Sequence, residues 1–283
     1  VITTGKPDPL LPQSIANWFI VSKAWADKNN ASEAASPAQK KEGYATNHAN
    51  GTGPFMLVSR DAGVKTVLKP FAGWWDKADH NVTEAVFRPV KSAATRVAAL
   101  LSGELDLIYP VPVQDAGRVS NTSGFKMLTG TELRTIFVGM DVSRDELLHS
   151  TVKGKNPFKD KRVRQALYHA IDVEAIRSKV MRGTSTPAGL LIGPGINGFK
   201  PSMNGRLPHD PGKAKSLLAD AGYPDGFGVG MDCTNDRYVN DAAICTAIVS
   251  MLAKAGIKVE LNADSKSRIF AKYKARDTSL YLL

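Results

Sequence analysis

The sequence predicts an α/β fold, and three features of the 283-residue chain support this prediction. Helical periodicity alternates with short strand-like runs in residues 92–109 and again in residues 209–283. Residues that cap or stop helices stand at the boundaries between these segments. Hydrophobic residues make up 43% of the chain, which is ample for a buried core in one large or two ordinary domains. We therefore expect parallel strands that are joined by crossover helices.

The first half contains three strand-like segments and one helix–strand pair. A polar segment at residues 29–43 is predicted to be a surface loop. Ser92 is a predicted N-cap and Gly103 a predicted helix terminus. The run LDLIY, residues 105–109, follows as a short strand that Pro110 closes. The three earlier strand-like segments are NGTGPFMLVSR, VKTVLKPFAGWW and TEAVFRPV.

The most basic stretch, KNPFKDKRVRQALYHAIDVEAI at residues 155–176, has the pattern of two short amphipathic helices. Asp160 and Asp172 are the predicted N-caps, and the second helix is expected to end before Gly183. The cations fall on the face opposite an apolar stripe. The stripe contains Val163, Ala166, Leu167, Ala170 and Ile171.

The net charge of +10 arises from 37 Lys and Arg residues against 27 Asp and Glu residues, and the cations are spread along the chain. Such a charge permits an acidic partner without specifying one. The cations of residues 159–164 have no aromatic residues between them, although a platform for stacking bases would require them. We therefore expect no nucleic-acid partner.

The second half continues the alternation of helices and strands. Asp210 is the predicted N-cap of a helix, Pro211 occupies its first position, and Gly222 takes its left-handed terminus. Strands and helices then follow in turn. The predicted strands are 228–233, 257–261 and 278–283, and the predicted helices are 235–256 and 267–275.

The residue types that usually carry chemistry are sparse. Cys233 and Cys245 are too few for a structural zinc site by themselves, and their spacing leaves open either a disulfide or two separate buried thiols. No G-x-S-x-G motif, P-loop or C-x-x-C motif is present, so we expect no catalytic residues, no metal and no cofactor. The five histidines do not pair at the spacing of metal ligands: His48, His80, His149, His169 and His209.

The order of several motifs resembles the peptide/nickel-type (family 5) extracellular solute-binding proteins of ATP-binding-cassette importers. The resemblance covers nearly the whole chain and implies an incomplete type II-like periplasmic-binding-protein architecture, in which two α/β lobes enclose a ligand. The motifs are KPDPLLP, GTGPF, GELDL, NPFKDKRVRQALYHAID, LPHDPGKAKSLLADAGYPDGF and AKAGIKVEL.

The resemblance also implies how the lobes divide the chain. Residues 1–138 would form part of the first lobe, with residues 1–50 as the tail of its inserted subdomain, and residues 139–283 would form part of the second lobe. The chain opens as if in the middle of a domain and ends on a strand-like run, RDTSLYLL. We therefore expect a fragment that lacks both ends of the family's chain.

The implied function is capture of a solute without catalysis. A periplasmic or extracytoplasmic protein, associated with the membrane through its transporter, would bind oligopeptides and deliver them to permease subunits of the importer. The solute could instead be a nickel chelate, a sugar or an opine-like compound. An α/β enzyme and a folding unit with no activity of its own are the alternatives of other classes.

The resemblance places ligand contacts in two segments. Asn235, Arg237 and Tyr238 lie where a predicted strand ends and a helix begins, and open α/β sheets bind ligands outside the carboxyl ends of their strands. The free N–H groups of that helix would suit a carboxylate. Met140 and Asp141 would face the cleft from the crossing between the lobes. Helix capping and an ordinary strand end are the structural alternatives for the two segments.

Three further expectations depend on the resemblance. Gly139 would act as the hinge between the lobes. Trp74 and Trp75 could form an aromatic wall, although such pairs more often serve packing. Because solute-binding proteins work outside the cytoplasmic membrane, where disulfides persist, Cys233 and Cys245 are predicted to be bridged.

Overall fold

The computed structural model describes residues 2–33, 42–130 and 132–283. The chain divides into two compact units, Val1–Lys91 and Ser92–Leu283. In the described residues, each unit contains one β-sheet. Most of the surface loop predicted at residues 29–43 lies outside the described residues.

The first unit contains short helices followed by an antiparallel sheet. Its strands lie in the order β1–β2–β3, and Leu57 and Ser59 flank an irregularity in the pairing of β1 with β2. The three strands predicted in this region are confirmed. The elements are α1 (Leu11–Ile15), α2 (Lys23–Lys28), α3 (Tyr44–Asn47), β1 (Phe55–Asp61), β2 (Lys65–Pro70) and β3 (Ala85–Phe87).

The second unit alternates helices and strands along most of its length. Its helix α7 continues directly into a π-helical turn at Ile176–Val180. The elements are α4 (Ala93–Leu101), α5 (Ala116–Asn121), β4 (Val138–Met140), α6 (Lys161–Ala170), α7 (Val173–Ala175), α8 (Pro211–Asp220), β5 (Phe227–Thr234), α9 (Asp241–Lys254), β6 (Ile257–Asp264), α10 (Lys266–Ala275) and β7 (Leu280–Leu282).

The sheet of the second unit has the order β4–β7–β5–β6. Strand β5 is parallel to both of its neighbours, β6 and β7, whereas β4 runs antiparallel to β7. The expected parallel strands and crossover helices are therefore present. The antiparallel edge strand was not predicted.

The helices α9 and α10 lie on opposite faces of β5. Val229 and Met231 of β5 point into a buried core that also contains Ile248 of α9. On the other face, the side chain of Asp232, which points away from Met231, pairs with Lys272 of α10 at 2.9 Å. The chain therefore leaves β5 and β6 towards opposite faces, which makes their carboxyl ends a switch point of the kind where α/β sheets bind ligands.

A second, smaller buried cluster formed by Val97, Leu100 and Val119 belongs to α4 and α5. In the core around β5 the first buried residue is Leu147, and the partly buried Ile136, Val138 and Met140 pack against it. The boundary between the two compact units falls at Lys91 and Ser92, which differs from the predicted boundary at residues 138 and 139. The division into residues 1–138 and 139–283 stays a prediction.

The short strand predicted at residues 105–109 is not formed, so this prediction is wrong. Leu107 and Tyr109 are 78% and 84% exposed, and the segment is irregular up to a cis peptide bond before Pro110. A strand needs a neighbour to satisfy its backbone groups, and none of the described strands pairs with this segment.

Candidate ligand-binding site

The turn at residues 235–240 joins β5 to α9 at the switch point. The N–H of Asn235 donates to the carbonyl oxygen of Asp264 at 3.0 Å, and the N–H of Lys266 donates to the Asp236 carboxylate at 2.6 Å. These bonds link the turn after β5 to the turn after β6. The polar residues predicted to face a ligand are thus held at the carboxyl edge of the sheet.

The helix predicted over residues 235–256 begins later, at Asp241. Asn240 has a left-handed backbone conformation, with φ of 56°, which is incompatible with a continuous helix. Its side-chain amide donates to the carbonyl oxygen of Val180 at 3.0 Å. The prediction of the helix start was wrong because these long-range contacts override the local helical pattern.

The buried carboxylate of Asp241 shapes this turn. One of its oxygens accepts hydrogen bonds from the Thr234 hydroxyl (2.7 Å), the Arg237 N–H (3.0 Å) and the Tyr238 N–H (3.1 Å). Because Asp241 already accepts these bonds, the N–H groups of Arg237 and Tyr238 are not available to an anionic ligand, in contrast to the expectation from the sequence.

The side chains at the turn form a cationic and aromatic cluster of Arg134, Arg237 and Tyr238. The guanidinium carbon of Arg237 lies 5.1 Å from the centroid of the Tyr238 ring, and that of Arg134 lies 5.5 Å from it. Cations at these distances are attracted by the ring electrons. Two guanidinium groups on one phenol ring leave a donor-rich surface that can bind a carboxylate with bidentate geometry.

Arg134 was missed by sequence reasoning. It precedes β4, and the pairing of β4 with β7 extends to Phe137, whose N–H donates to the carbonyl oxygen of Leu283 at 2.8 Å. This pairing carries the Arg134 segment to the same sheet edge as Tyr238. Arg134 also pairs with Glu132 at 2.6 Å, so a ligand carboxylate would compete with Glu132 for the guanidinium.

The structure does not bring Met140 and Asp141 beside this cluster. Met140 pairs with Leu280, the first residue of β7, and therefore lies towards the opposite end of the strand from Leu283. The N–H of Asp141 donates to the carbonyl oxygen of Ser279 at 2.9 Å. A ligand role for these two residues stays a prediction.

The Asp141 carboxylate is engaged within its own turn. It accepts hydrogen bonds from the N–H and hydroxyl of Ser143, at 2.9 and 2.8 Å, and pairs with the guanidinium of Arg144. Burial raises the pKa of Asp141, but the bonds from Ser143 and Arg144 outweigh burial and hold the pKa below its ordinary value. Asp141 is therefore ionised and internally paired at neutral pH.

Cys233 and Cys245 are joined by a disulfide, with their Cα atoms 6.6 Å apart. The bond connects the end of β5 to the first half of α9 and encloses the turn at residues 235–240. Both cysteines are fully buried.

Trp74 and Trp75 belong to the first unit. Both indole N–H groups donate to the carbonyl oxygen of Thr52, at 2.9 and 3.2 Å, and the two rings lie 5.6 Å apart. Trp75 is 77% exposed. Both indoles are thus hydrogen-bonded within their own unit, and the role of the pair as an aromatic wall stays a prediction.

An open groove of approximately 850 Å³ lies at the opposite, amino end of β5 and β6. Its lining includes Thr151, Gly228, Lys258 and Glu260. We do not favour this groove as the main site, because ligands of open α/β sheets bind outside the carboxyl ends of the strands.

Within residues 2–33, 42–130 and 132–283, none of the helices combines the length and apolar character that crossing a bilayer requires. No group of three or more His, Cys, Asp or Glu side chains in these ranges could hold a metal ion.

The fold is that of the periplasmic binding proteins. The PBP AgaA from A. tumefaciens R10, in complex with agropinic acid, is 28% identical, with a TM-score of 0.64 over 93% of this chain and 49% of that chain. The periplasmic binding protein DppA from Helicobacter pylori, in complex with the peptide STSA, is 23% identical, with a TM-score of 0.70 over 93% of this chain and 47% of that chain. The predicted fold class, an incomplete two-lobe α/β architecture, is confirmed.

Residues 1–283 match the family of bacterial extracellular solute-binding proteins, family 5 Middle, and the chain belongs to this family. The resemblance seen in the sequence is therefore confirmed. The glutathione-binding protein GsiB of Salmonella choleraesuis is 28% identical over 219 residues, which are 76% of this chain and 40% of GsiB. The chain thus spans about 40% of the length of the curated relatives it matches.

Proposed function

We propose that the complete protein is the extracytoplasmic solute-binding component of an ATP-binding-cassette importer, and that it binds oligopeptides and delivers them to membrane permease subunits. Membership of family 5 supports the general role. A relative named for glutathione, which is itself a tripeptide, supports the peptide class. Association with the membrane would occur through the transporter.

The observation that carries the proposal is the cluster of Arg134, Arg237 and Tyr238 at the switch point. In this proposal, the Arg237 guanidinium binds a free carboxylate of the peptide, and Arg134 adds a second donor when its pair with Glu132 opens. Asn235 is exposed in the same turn, and in this proposal its side chain hydrogen-bonds the peptide backbone. Ligand binding then favours the closed state of the two lobes by its higher affinity for that state.

The test is calorimetry of the full-length protein with a panel of di-, tri- and tetrapeptides, each as the free acid and as the C-terminal amide. We expect Arg237→Ala to weaken binding of a free-acid peptide by about tenfold or more, because a charge-assisted hydrogen bond is lost. The effect should be much smaller for the matching amide. Arg134→Ala should act in the same direction with a smaller loss.

The matched control is Arg206→Ala. Arg206 also stacks on a tyrosine, with its guanidinium carbon 4.4 Å from the centroid of the Tyr168 ring, but it lies outside the turn at residues 235–240. This variant should bind every peptide as the wild-type protein does. Unchanged affinity in Arg237→Ala, or an equal loss for free acids and amides, would remove the cluster from the site.

A non-peptide solute is the second candidate. The 28% identical protein AgaA holds agropinic acid, and an opine-like compound would offer a carboxylate to the same two guanidinium groups. A panel extended with opines, nickel chelates and sugars therefore separates these solutes from peptides. Chemical turnover of any panel compound would instead indicate an enzyme.

A further inference from the structure

We infer that Asp241 is a positioning residue, which fixes the backbone of the turn at residues 235–240 so that Arg237 and Tyr238 present their side chains to a ligand. The part of this inference that concerns ligand affinity rests on the proposed function. The part that concerns the turn rests on the structure alone.

The geometry around Asp241 supports this role. A single carboxylate oxygen accepts three hydrogen bonds, from the Thr234 hydroxyl and from the N–H groups of Arg237 and Tyr238. The other oxygen accepts from the N–H of Ala242 at 2.9 Å. Asp241 thus connects the end of β5, the turn and the start of α9 through one side chain.

Burial makes these bonds strong. Asp241 is 3% exposed, and Thr234 is fully buried. A buried carboxylate that accepts several donors is stable, whereas removal of the acceptor leaves buried donors unsatisfied. The N–H groups of Arg237 and Tyr238 donate to the same oxygen of Asp241, which fixes the backbone that carries both side chains.

The inference predicts that hydrogen exchange of two particular amides depends on Asp241. In the variants Asp241→Ala and Asp241→Asn, the amide protons of Arg237 and Tyr238 should exchange about tenfold faster or more, because a charged acceptor has been removed. Asp241→Asn keeps the size of the side chain and one acceptor oxygen, so it serves if Asp241→Ala does not fold. Residue-resolved exchange by NMR measures both amides without any ligand.

The matched control is Asp210→Asn. Asp210 accepts a hydrogen bond from the N–H of Lys213 at 2.8 Å and caps α8, so it has a similar capping function elsewhere in the unit. This variant keeps a capping oxygen and should leave exchange at Arg237 and Tyr238 unchanged. Unchanged exchange in Asp241→Asn, or equal acceleration in Asp210→Asn, would overturn the inference.

A second measurement connects the turn to binding through a double-mutant cycle. With a free-acid peptide from the panel, Asp241→Asn should weaken affinity in the wild-type background and have little further effect in the Arg237→Ala background. Additive losses would show that Asp241 does not act through Arg237 and would overturn the binding part. If no peptide binds the wild-type protein, the proposed function fails, and the exchange result alone decides the positioning role.

Discussion

Gly139 of β4 pairs directly with Tyr281 of β7, and the phenol ring of Tyr281 occupies the space where a side chain at position 139 would lie. A Cβ atom built on Gly139 would overlap this ring. The close approach explains a glycine at this point of a strand without reference to motion. The hinge role of Gly139 stays a prediction beside this packing role.

We expect Gly139→Ala to destabilise the protein by about 1–3 kcal/mol, because the added methyl group overpacks against Tyr281. Urea unfolding measures the loss. In a Tyr281→Ala background the cost should nearly vanish. The control is Gly117→Ala in α5, where a Cβ would meet no atom within 4 Å and where alanine should be neutral or stabilising. Equal costs in the two backgrounds would contradict this explanation.

Gly226 lies against the backbone of Gly256, whereas Gly222 has a similar backbone conformation without such a contact. Both have positive φ, 72° and 89°, but only at Gly226 would a Cβ overlap the backbone carbonyl of Gly256. Gly222→Ala should cost about 1–2 kcal/mol from its backbone conformation alone. Gly226→Ala should cost clearly more when both are unfolded in urea. Similar midpoints for the two variants would refute the close approach.

The disulfide should contribute to stability through the chain segment it closes. Its cysteines are separated by 12 positions, and the loop-entropy estimate for a ring of this size is about 3 kcal/mol. The variant Cys233→Ala/Cys245→Ala should lose about this amount in urea unfolding. Thiol labelling of the unfolded, non-reduced wild-type protein should find no reactive cysteine. Two labelled thiols would contradict the bond.

The Asp141 carboxylate should make stability depend on pH in acid. Its pKa in the folded state lies below its ordinary value, so its contribution is fully present above the unfolded pKa of about 3.9 and is lost as the pH falls through the folded pKa. Asp141→Asn should lower stability at neutral pH by about 1–3 kcal/mol and flatten the decline in acid. Urea unfolding between neutral and acid pH measures both effects.

The comparison variant for this pH series is Asp145→Asn. Asp145 is paired with Lys159, and this bond lowers its pKa, but its side chain is fully exposed. Solvent screens such a pair, so the variant should change stability little at any pH. If Asp145→Asn flattens the loss of stability in acid as much as Asp141→Asn does, the pH dependence reflects the net charge of the protein and not the bonds of Asp141.

Much of the fold could be predicted because local signals agreed with tertiary packing. Asp210 caps α8 as predicted, and Ala214, Leu217 and Leu218 are buried on its inner face. Asp160 caps α6, whose predicted stripe is buried from Val163 to Ala170. In these helices the apolar period determines the buried face and the capping residues determine the start. Both could therefore be predicted without knowledge of any distant contact.

The candidate site was harder to predict because distant contacts determine it. Asn235, Arg237 and Tyr238 could be placed at a strand end from the sequence, but Arg134 reaches them only through the pairing of β4 with β7. The role of Asp241 was hidden for the same reason. Its carboxylate accepts hydrogen bonds from the N–H groups of Arg237 and Tyr238, a contact that the predicted helix over 235–256 did not include.

The bond between Cys233 and Cys245 encircles the exposed residues Asn235, Asp236 and Val239. A protease that cut the backbone within this ring would therefore not release a fragment. The nicked molecule would migrate as a single species in a denaturing gel and separate into two pieces only after a reducing agent was added.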